Sequence, residues 1–269
     1  MLARGARVGR RGRVLAVERR TRMLDLLHQR GSVTVAELSH AHGVSEETVR
    51  RDLQKLESES GIARTHGGAY VARAVHSDVP IRIREGIQRE VKEIIGALCE
   101  RLVEEGETVM LDSSTTALHV AEHLRAARTR MTVVTNALRV ADTFADCEGV
   151  TLVCTGGALR RSQLSFVGPA AVETLRRFYA DKAFVSCVAV DLEQGLTDAD
   201  ELEADVRRAM LRQARERLLI ADYTKLGKTS FALIAPLDRV DCLVTDREPD
   251  ARWKGELARR KVRCLHGRQ

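Results

Sequence analysis

The sequence predicts an α/β protein in two parts: an N-terminal winged helix-turn-helix and a larger doubly wound domain on a mostly parallel sheet. Three observations predict it. Between Thr34 and Ala69 two short helical patterns flank His42-Gly43-Val44, and a Gly-Gly turn follows the second; this is the spacing of a helix-turn-helix with a wing. Beyond Glu90 near-continuous apolar runs (TVMLDS, MTVVTN, VTLVCT, AFVSCVAVD, RLLIAD and VDCLVTD) alternate with helical patterns. Strands of that kind are buried on both faces and belong to a parallel sheet. A length of 269 residues suits two domains.

In chain order, residues 1–16 hold five arginines and three glycines and read as a basic flexible arm. The winged helix-turn-helix is expected over residues 17–73. Met23, Leu24, Leu26 and Leu27 predict a first helix that ends at Gly31. Thr34 and Glu37 fit a capping box opening a second helix, with Val35, Leu38 and Ala41 facing inward. Gly43 permits the tight turn. Ser45 is a good N-cap for the third helix, and Glu46 and Glu47 in its first turn suit the helix dipole. Val49, Leu53 and Leu56 form its buried stripe. Gly61 to Val71 predict a two-stranded wing with Gly67-Gly68 at the tip. Residues 74–89 carry charges and Pro80 without a clear period and read as a linker. The α/β domain is expected over residues 90–269, with helices at Val91–Glu104, Thr115–Ala127 and Leu202–Arg215.

Composition narrows the function classes. Residues 1–75 carry 14 of the 44 Lys and Arg and 8 of the 38 Asp and Glu, so they hold the whole net charge of +6. An excess confined to the first part is what phosphate neutralisation asks of a nucleic-acid-binding head. The six cysteines form no C-x-x-C pair, and several lie in apolar runs such as TLVCT and VDCLV. They read as small buried hydrophobes in a reducing compartment, with neither a disulfide framework nor a zinc site. No run reaches the length of a membrane span and no signal-peptide pattern occurs, so the expected location is the cytoplasm and no membrane partner is expected.

The chemistry falls in two places. On the third helix Ser45, Glu46, Glu47, Thr48, Arg50 and Arg51 are the exposed candidates for contacting duplex DNA. Reading a major groove needs short polar groups and arginine near a helix N-terminus. Arg64 and His66 in the wing would reach the backbone or the minor groove. In the α/β domain the polar residues cluster just after strands: Asp112-Ser113-Ser114-Thr115-Thr116, Thr135-Asn136, Thr155-Gly156-Gly157, and Asp222 with Lys225. Ligands of open α/β sheets bind beyond the carboxyl ends of the strands. A run of hydroxyls entering a helix offers amides and a dipole to an anion, usually phosphate, and Lys225 adds a positive charge. One pattern points elsewhere. His119-Val-Ala-Glu122-His123 matches H-x-x-E-H, in which two histidines four apart could share a metal. No third ligand can be singled out from the sequence, so these read as ordinary helix residues and no metal or cofactor is expected.

Together, VSEETVRRDLQKLE, ARTHGGA, MLDSSTTALHVAEHL, VVTNALRVA, CTGGALRRSQLSFVGPAA, DKAFVSCVAVDLEQGLTDADELEADVRRAM and ADYTKLGKTSF resemble, in order over about residues 18–246, a DeoR/GlpR-type bacterial transcriptional regulator. The resemblance implies a winged helix joined to a sensor domain similar to sugar-phosphate isomerases and CoA transferases. It implies repression of sugar or nucleoside catabolism genes, with release from operator DNA by a phosphorylated sugar. By matched position, Asp112, Ser113, Thr115, Thr116, Asn136, Gly156, Gly157, Asp181, Glu203 and Lys225 would line or adjoin the effector pocket. Ser114 stands where the family usually has glycine, and the run after DKAF lacks the usual glycines. The resemblance also implies a homodimer or homotetramer without catalytic residues, since operator repeats mirror protein symmetry. Two other classes fit the same residues: a sugar-phosphate isomerase with a DNA-binding appendage, using Asp181, Glu203 or Lys225, and a constitutive DNA-binding protein with a vestigial pocket.

Overall fold

The computed structural model describes residues 16–30, 32–60, 62–65, 68–71 and 80–267. The expected basic arm lies outside them, apart from Ala16. The chain divides into two compact units, residues 1–74 and 75–269.

The first unit runs α1 (Ala16–Arg30), β1 (Ser32–Thr34), α2 (Val35–His42), α3 (Glu46–Ser60), β2 (Ile62–Thr65) and β3 (Gly68–Val71). The capping box is formed: the Thr34 hydroxyl accepts from the Glu37 amide, and the Glu37 carboxylate accepts from the Thr34 amide at 2.8 Å. Gly43 closes α2 in the left-handed region at φ 62°, donating to the Ser39 carbonyl. Leu38 of α2 and Val49, Leu53 and Leu56 of α3 share one core with Met23, Leu27 and Val33. Ala41, expected to face inward, is exposed. The wing hairpin pairs Ile62–Thr65 with Gly68–Val71, and β1 adds a third antiparallel strand on β3. The wing tip at Gly67 lies outside the described residues.

The second unit begins with α4 (Ile81–Gly86) and α5 (Arg89–Glu100). Thus seven residues expected to be linker, 81–86 and 89, are helical, and Ile81 is buried. Then follow β4 (Thr108–Leu111), α6 (Thr115–Ala127), β5 (Met131–Thr135), α7 (Leu138–Phe144), β6 (Val150–Cys154), β7 (Ala158–Arg160), β8 (Ser165–Val167), α8 (Pro169–Leu175), β9 (Ala180–Val185), β10 (Ala189–Asp191), β11 (Gly195–Asp198), α9 (Glu201–Arg212), β12 (Ala214–Ile220), β13 (Ala232–Ala235), β14 (Cys242–Thr245), α10 (Ala251–Arg259) and β15 (Arg263–His266). Seven strands make one parallel sheet in the order β15-β14-β12-β9-β4-β5-β6. Alternate residues feed opposite faces, as a pleated strand requires. Val109 and Leu111 pack with α5, α6 and α7, whereas Met110 packs with α8, α9 and α10.

The apolar run AFVSCVAVD, read as one strand, is two. β9 leaves the sheet after Val185, and β10 pairs instead in a small antiparallel sheet with β11, which also pairs with β13. The cysteines divide too: Cys99, Cys187 and Cys242 are buried, but Cys154 on the edge strand β6 is exposed. An edge strand lacks the second neighbour that would cover it. No described helix is long and apolar enough to cross a membrane.

Candidate functional sites

In the first unit the sequence-predicted contact residues sit along α3. Ser45 precedes the helix and its hydroxyl accepts from the Thr48 amide, so it is the expected cap. Ser45, Glu46, Glu47, Arg50 and Arg51 are exposed and Thr48 is half-buried. Arg50 bonds Glu46 at 2.8 Å and Arg51 lies 3.5 Å from Glu47, both one turn apart. Exposed pairs of this kind contribute little, so a phosphate or base edge can replace the glutamate. Beneath them, Arg19 of α1 binds the buried Asp52 at 2.6 Å, which fixes the inner side of α3 and leaves its outer side to solvent. Of the wing residues, the Arg64 side chain and all of His66 lie outside the described residues.

In the second unit the chain reverses direction across the sheet between β4 and β9, a topological switch point. The crevice beyond the carboxyl ends there is the expected place for a ligand. A cavity of about 40 Å³ occupies it, lined by Ser113, Ser114 and Thr115 after β4, Ser186 to Val188 after β9, Glu203 and Arg207 of α9, Lys225, and Arg84, Arg160, Gln163, Asp198 and Asp200.

A buried charge network forms its floor. Asp112 is fully buried and accepts from the Ser114 amide at 3.0 Å, the Ser186 amide at 2.9 Å and the Arg207 guanidinium at 2.7 Å. Burial opposes its charge, but Arg207 and these hydrogen bonds outweigh burial, so its pKa falls below the usual carboxylate range. Arg207 also binds Asp198 at 2.8 Å. Burial works against the guanidinium, yet Asp198, Asp112 and Glu203 raise its pKa overall. Glu203 accepts from the Ser113 hydroxyl at 2.8 Å and the Ser165 hydroxyl at 2.5 Å. The wall opposite is cationic. Lys225 donates to the Ser186 hydroxyl at 3.0 Å. Arg84 bonds Gln163, and its Nε is buried without a hydrogen-bond partner. Behind it, Lys92 donates to the carbonyls of Arg84 and Ile87, both at 2.6 Å. Burial first, then the charges of Lys225 and Arg84, push the Lys92 pKa down to about 7.

A larger groove of about 390 Å³ lies beside the start of β12, lined by Arg208, Arg212, Arg217 and Arg239. Two of these are committed, Arg208 to Glu201 and Asp205 and Arg217 to Asp241. It lacks the convergent buried polar groups of the smaller cavity.

The N-terminal domain model of the DeoR-like helix-turn-helix matches residues 19–75, and that of the DeoR C terminal sensor domain matches residues 87–247. The chain belongs to the DeoR family. HTH-type transcriptional repressor GlcR of Bacillus subtilis is 37% identical over 92% of this chain and 95% of its own length. Transcriptional regulator YulB of the same organism is 34% identical over 93% and 96%. Among solved structures the chain is remotely similar to ribose 5-phosphate isomerase A of Methanocaldococcus jannaschii, at 16% identity and a TM-score of 0.39 over 52% of this chain and 55% of that one. Like its DeoR-family relatives, the chain is a transcriptional regulator with a DNA-binding helix-turn-helix.

Within this DeoR-family sensor unit the expected pocket residues separate. Ser113, Ser114, Thr115, Glu203 and Lys225 meet at the cavity. Asp112 lies under it, and Thr116 is buried in α6. Ser114 caps α6 by accepting from the Ala117 amide at 3.0 Å. Asn136 braces the strand that carries Ser165: its amide donates to the Phe166 carbonyl at 3.0 Å. Gly156 and Gly157 do not line the cavity. Gly157, at φ 114°, is required by packing, since a Cβ there would meet the Val167 carbonyl at 2.8 Å. Asp181 is misplaced by sequence matching: it sits near the start of β9 and accepts from the Thr108 amide, at the opposite end of the strands from the cavity. Sequence reading alone misses Asp198, Asp200 and Arg207, although the run TDADELEADVRR carried the signal. Glu203 and Arg207 lie one helical turn apart and so share a face. It also misses Arg84, Arg160 and Gln163, which no periodic pattern marks.

Proposed function

We propose that this chain is a repressor of sugar or nucleoside catabolism genes that leaves its duplex operator when a phosphorylated sugar enters the cavity after β4. The observation that carries the effector class is the field around that cavity. Hydroxyls at the start of α6 face Lys225 and Arg84, whose charges help depress the Lys92 pKa. Among the described residues Lys225 is ion-paired only by a 3.8 Å contact with Asp222, and the Arg84 Nε has no hydrogen-bond partner; cations so loosely held beside a helix N-terminus are suited to a phosphate dianion. Carboxylates and serines on the floor, Glu203 above all, suit the hydroxyls of a sugar. A cavity of about 40 Å³ holds a few waters rather than a phosphosugar, so lining side chains move on binding, and the Arg84–Gln163 contact is the one we assign to that displacement. That displacement supplies the differential affinity between two conformations that release from DNA needs. Binding of the operator as a homodimer or homotetramer follows from the small affinity of one recognition helix.

The test is a thermal-shift screen of the full chain against phosphosugars and their unphosphorylated parents, followed by operator binding with any hit. An effector at a hundredfold over its Kd adds about 2.7 kcal/mol to folding and raises Tm, and it weakens operator binding. Lys225→Ala is expected to abolish both responses while leaving operator affinity unchanged. If no phosphosugar shifts Tm, the sensing reading is wrong.

A further inference from the structure

The H-x-x-E-H pattern on α6 acquires in the fold the partner that the sequence does not identify. His119 and His123 lie on α6, and α5 packs directly against that helix because residue 96 is glycine. A Cβ at Gly96 would come 2.6 Å from His123 Cδ2 and 3.0 Å from the His119 carbonyl oxygen. This close approach brings Glu93 of α5 onto the histidines. Glu93 Oε1 is 3.3 Å from His119 Nδ1, Glu122 Oε2 is 3.1 Å from the same nitrogen, and Glu93 Oε2 is 3.0 Å from His123 Nε2. One ligand atom from each of Glu93, His119 and Glu122 lies within 4.8 Å of the others.

Two features separate this group from a chance cluster of surface acids. His119 is 4% exposed, and its Nδ1 has no hydrogen-bond partner although two carboxylate oxygens lie within 3.3 Å. Both are near enough to bond it but out of line. A buried ring nitrogen left in that way has lost its hydration without compensation. The spacing fits a cation instead. Zinc holds nitrogen and oxygen ligands at about 2.0–2.2 Å in a tetrahedron, which sets neighbouring ligand atoms about 3.3 Å apart. Glu93 and Glu122 are partly open to solvent, which provides an entry path. The competing contact, Arg89 to Glu93 at 3.5 Å, is exposed and weak.

We propose that Glu93, His119 and Glu122, with His123 beside them, bind a divalent first-row transition cation of the zinc class that ties α5 to α6. Mixed imidazole and carboxylate donors favour such a cation over Mg²⁺ or Ca²⁺. The site is separate from the cavity beyond the carboxyl ends, and it stiffens the helix whose first turn enters that cavity.

The experiment is equilibrium dialysis of chelator-treated full-length protein against Zn²⁺, with Mg²⁺ as control, together with Tm and the visible spectrum of the Co²⁺ form. One Zn²⁺ per chain, a raised Tm, and Co²⁺ bands without sulfur charge transfer are expected. Glu122→Gln, an exposed change that leaves the core intact, and Glu93→Gln should each weaken Zn²⁺ binding by about tenfold or more. His119→Ala should remove it. No stoichiometric Zn²⁺ binding overturns the proposal. So does binding unchanged in Glu93→Gln and Glu122→Gln, or a Co²⁺ spectrum showing thiolate from Cys154 or another cysteine.

Discussion

At the scale of single residues, the floor of the cavity depends on two buried charges that pair with each other, Asp112 and Arg207. Asp112 meets two backbone amides and Arg207, and Arg207 meets Asp198 as well. Such a pair adds little over an apolar replacement, but removing one member strands the other. Asp112→Asn is therefore expected to lower unfolding free energy by about 3–5 kcal/mol, read as the midpoint of urea denaturation. Arg207→Met should cost about as much, and the double variant less than the sum of the two, because the partners couple. Strict additivity would mean that the contact is not what holds the floor together. Ser114 shows how a small change is absorbed at this scale. Where a glycine would leave the α6 amides to a ligand or water, the serine hydroxyl takes one of them.

At the scale of elements, α3 and β9 show the two ways in which helices and strands carry function. α3 is held from beneath by the Arg19–Asp52 pair and by Val49, Leu53 and Leu56, so its outer side projects as a rigid comb. Arg51→Ala should weaken operator binding by about 1–3 kcal/mol with altered sequence preference if Arg51 reads a base. A phosphate contact would instead flatten the salt dependence by about one unit of slope. Operator titrations at several salt concentrations distinguish these, and an unchanged curve at every salt would remove Arg51 from the interface. β9 acts by stopping. Its exit after Val185 frees the Ser186 amide, which a continuing strand would spend on its neighbour, for Asp112, and leaves the Ser186 hydroxyl to accept from Lys225.

At the scale of the whole molecule, stability is coupled to pH through Lys92. Its folded pKa is about 7, against an ordinary lysine value of 10.5. Between those values the unfolded chain holds a proton that the folded chain lacks. The contribution of this site to stability therefore rises with pH across the window and is lost as pH falls through 7. Comparing wild type with Lys92→Met between pH 6.5 and 9 removes other titrations from the comparison. The stability of wild type relative to the variant should grow by at most about 1.4 kcal/mol per pH unit. A difference that stays flat would show that Lys92 keeps its charge in the folded state. The uneven charge belongs to this scale as well: the excess of Lys and Arg falls within residues 1–75, and the rest of the chain is balanced.

The sequence by itself determined the helix-turn-helix, the two-faced parallel sheet and the place of the hydroxyl loop after its first strand. Each rests on contacts close in the chain: a capping box three residues long, a glycine at a turn, an apolar run between polar ends. Only the tertiary structure decided which polar residues meet. Asp181 and Ser186 belong to one apolar stretch, yet they lie at opposite ends of the sheet, because the strand between them is about six residues long. Arg84 reaches the cavity from a segment with no periodic pattern, and Glu93 joins His119 across two packed helices. Chain spacing encodes local periodicity, whereas the meeting of residues 26 or 79 positions apart depends on how helices and strands pack, which no local pattern carries.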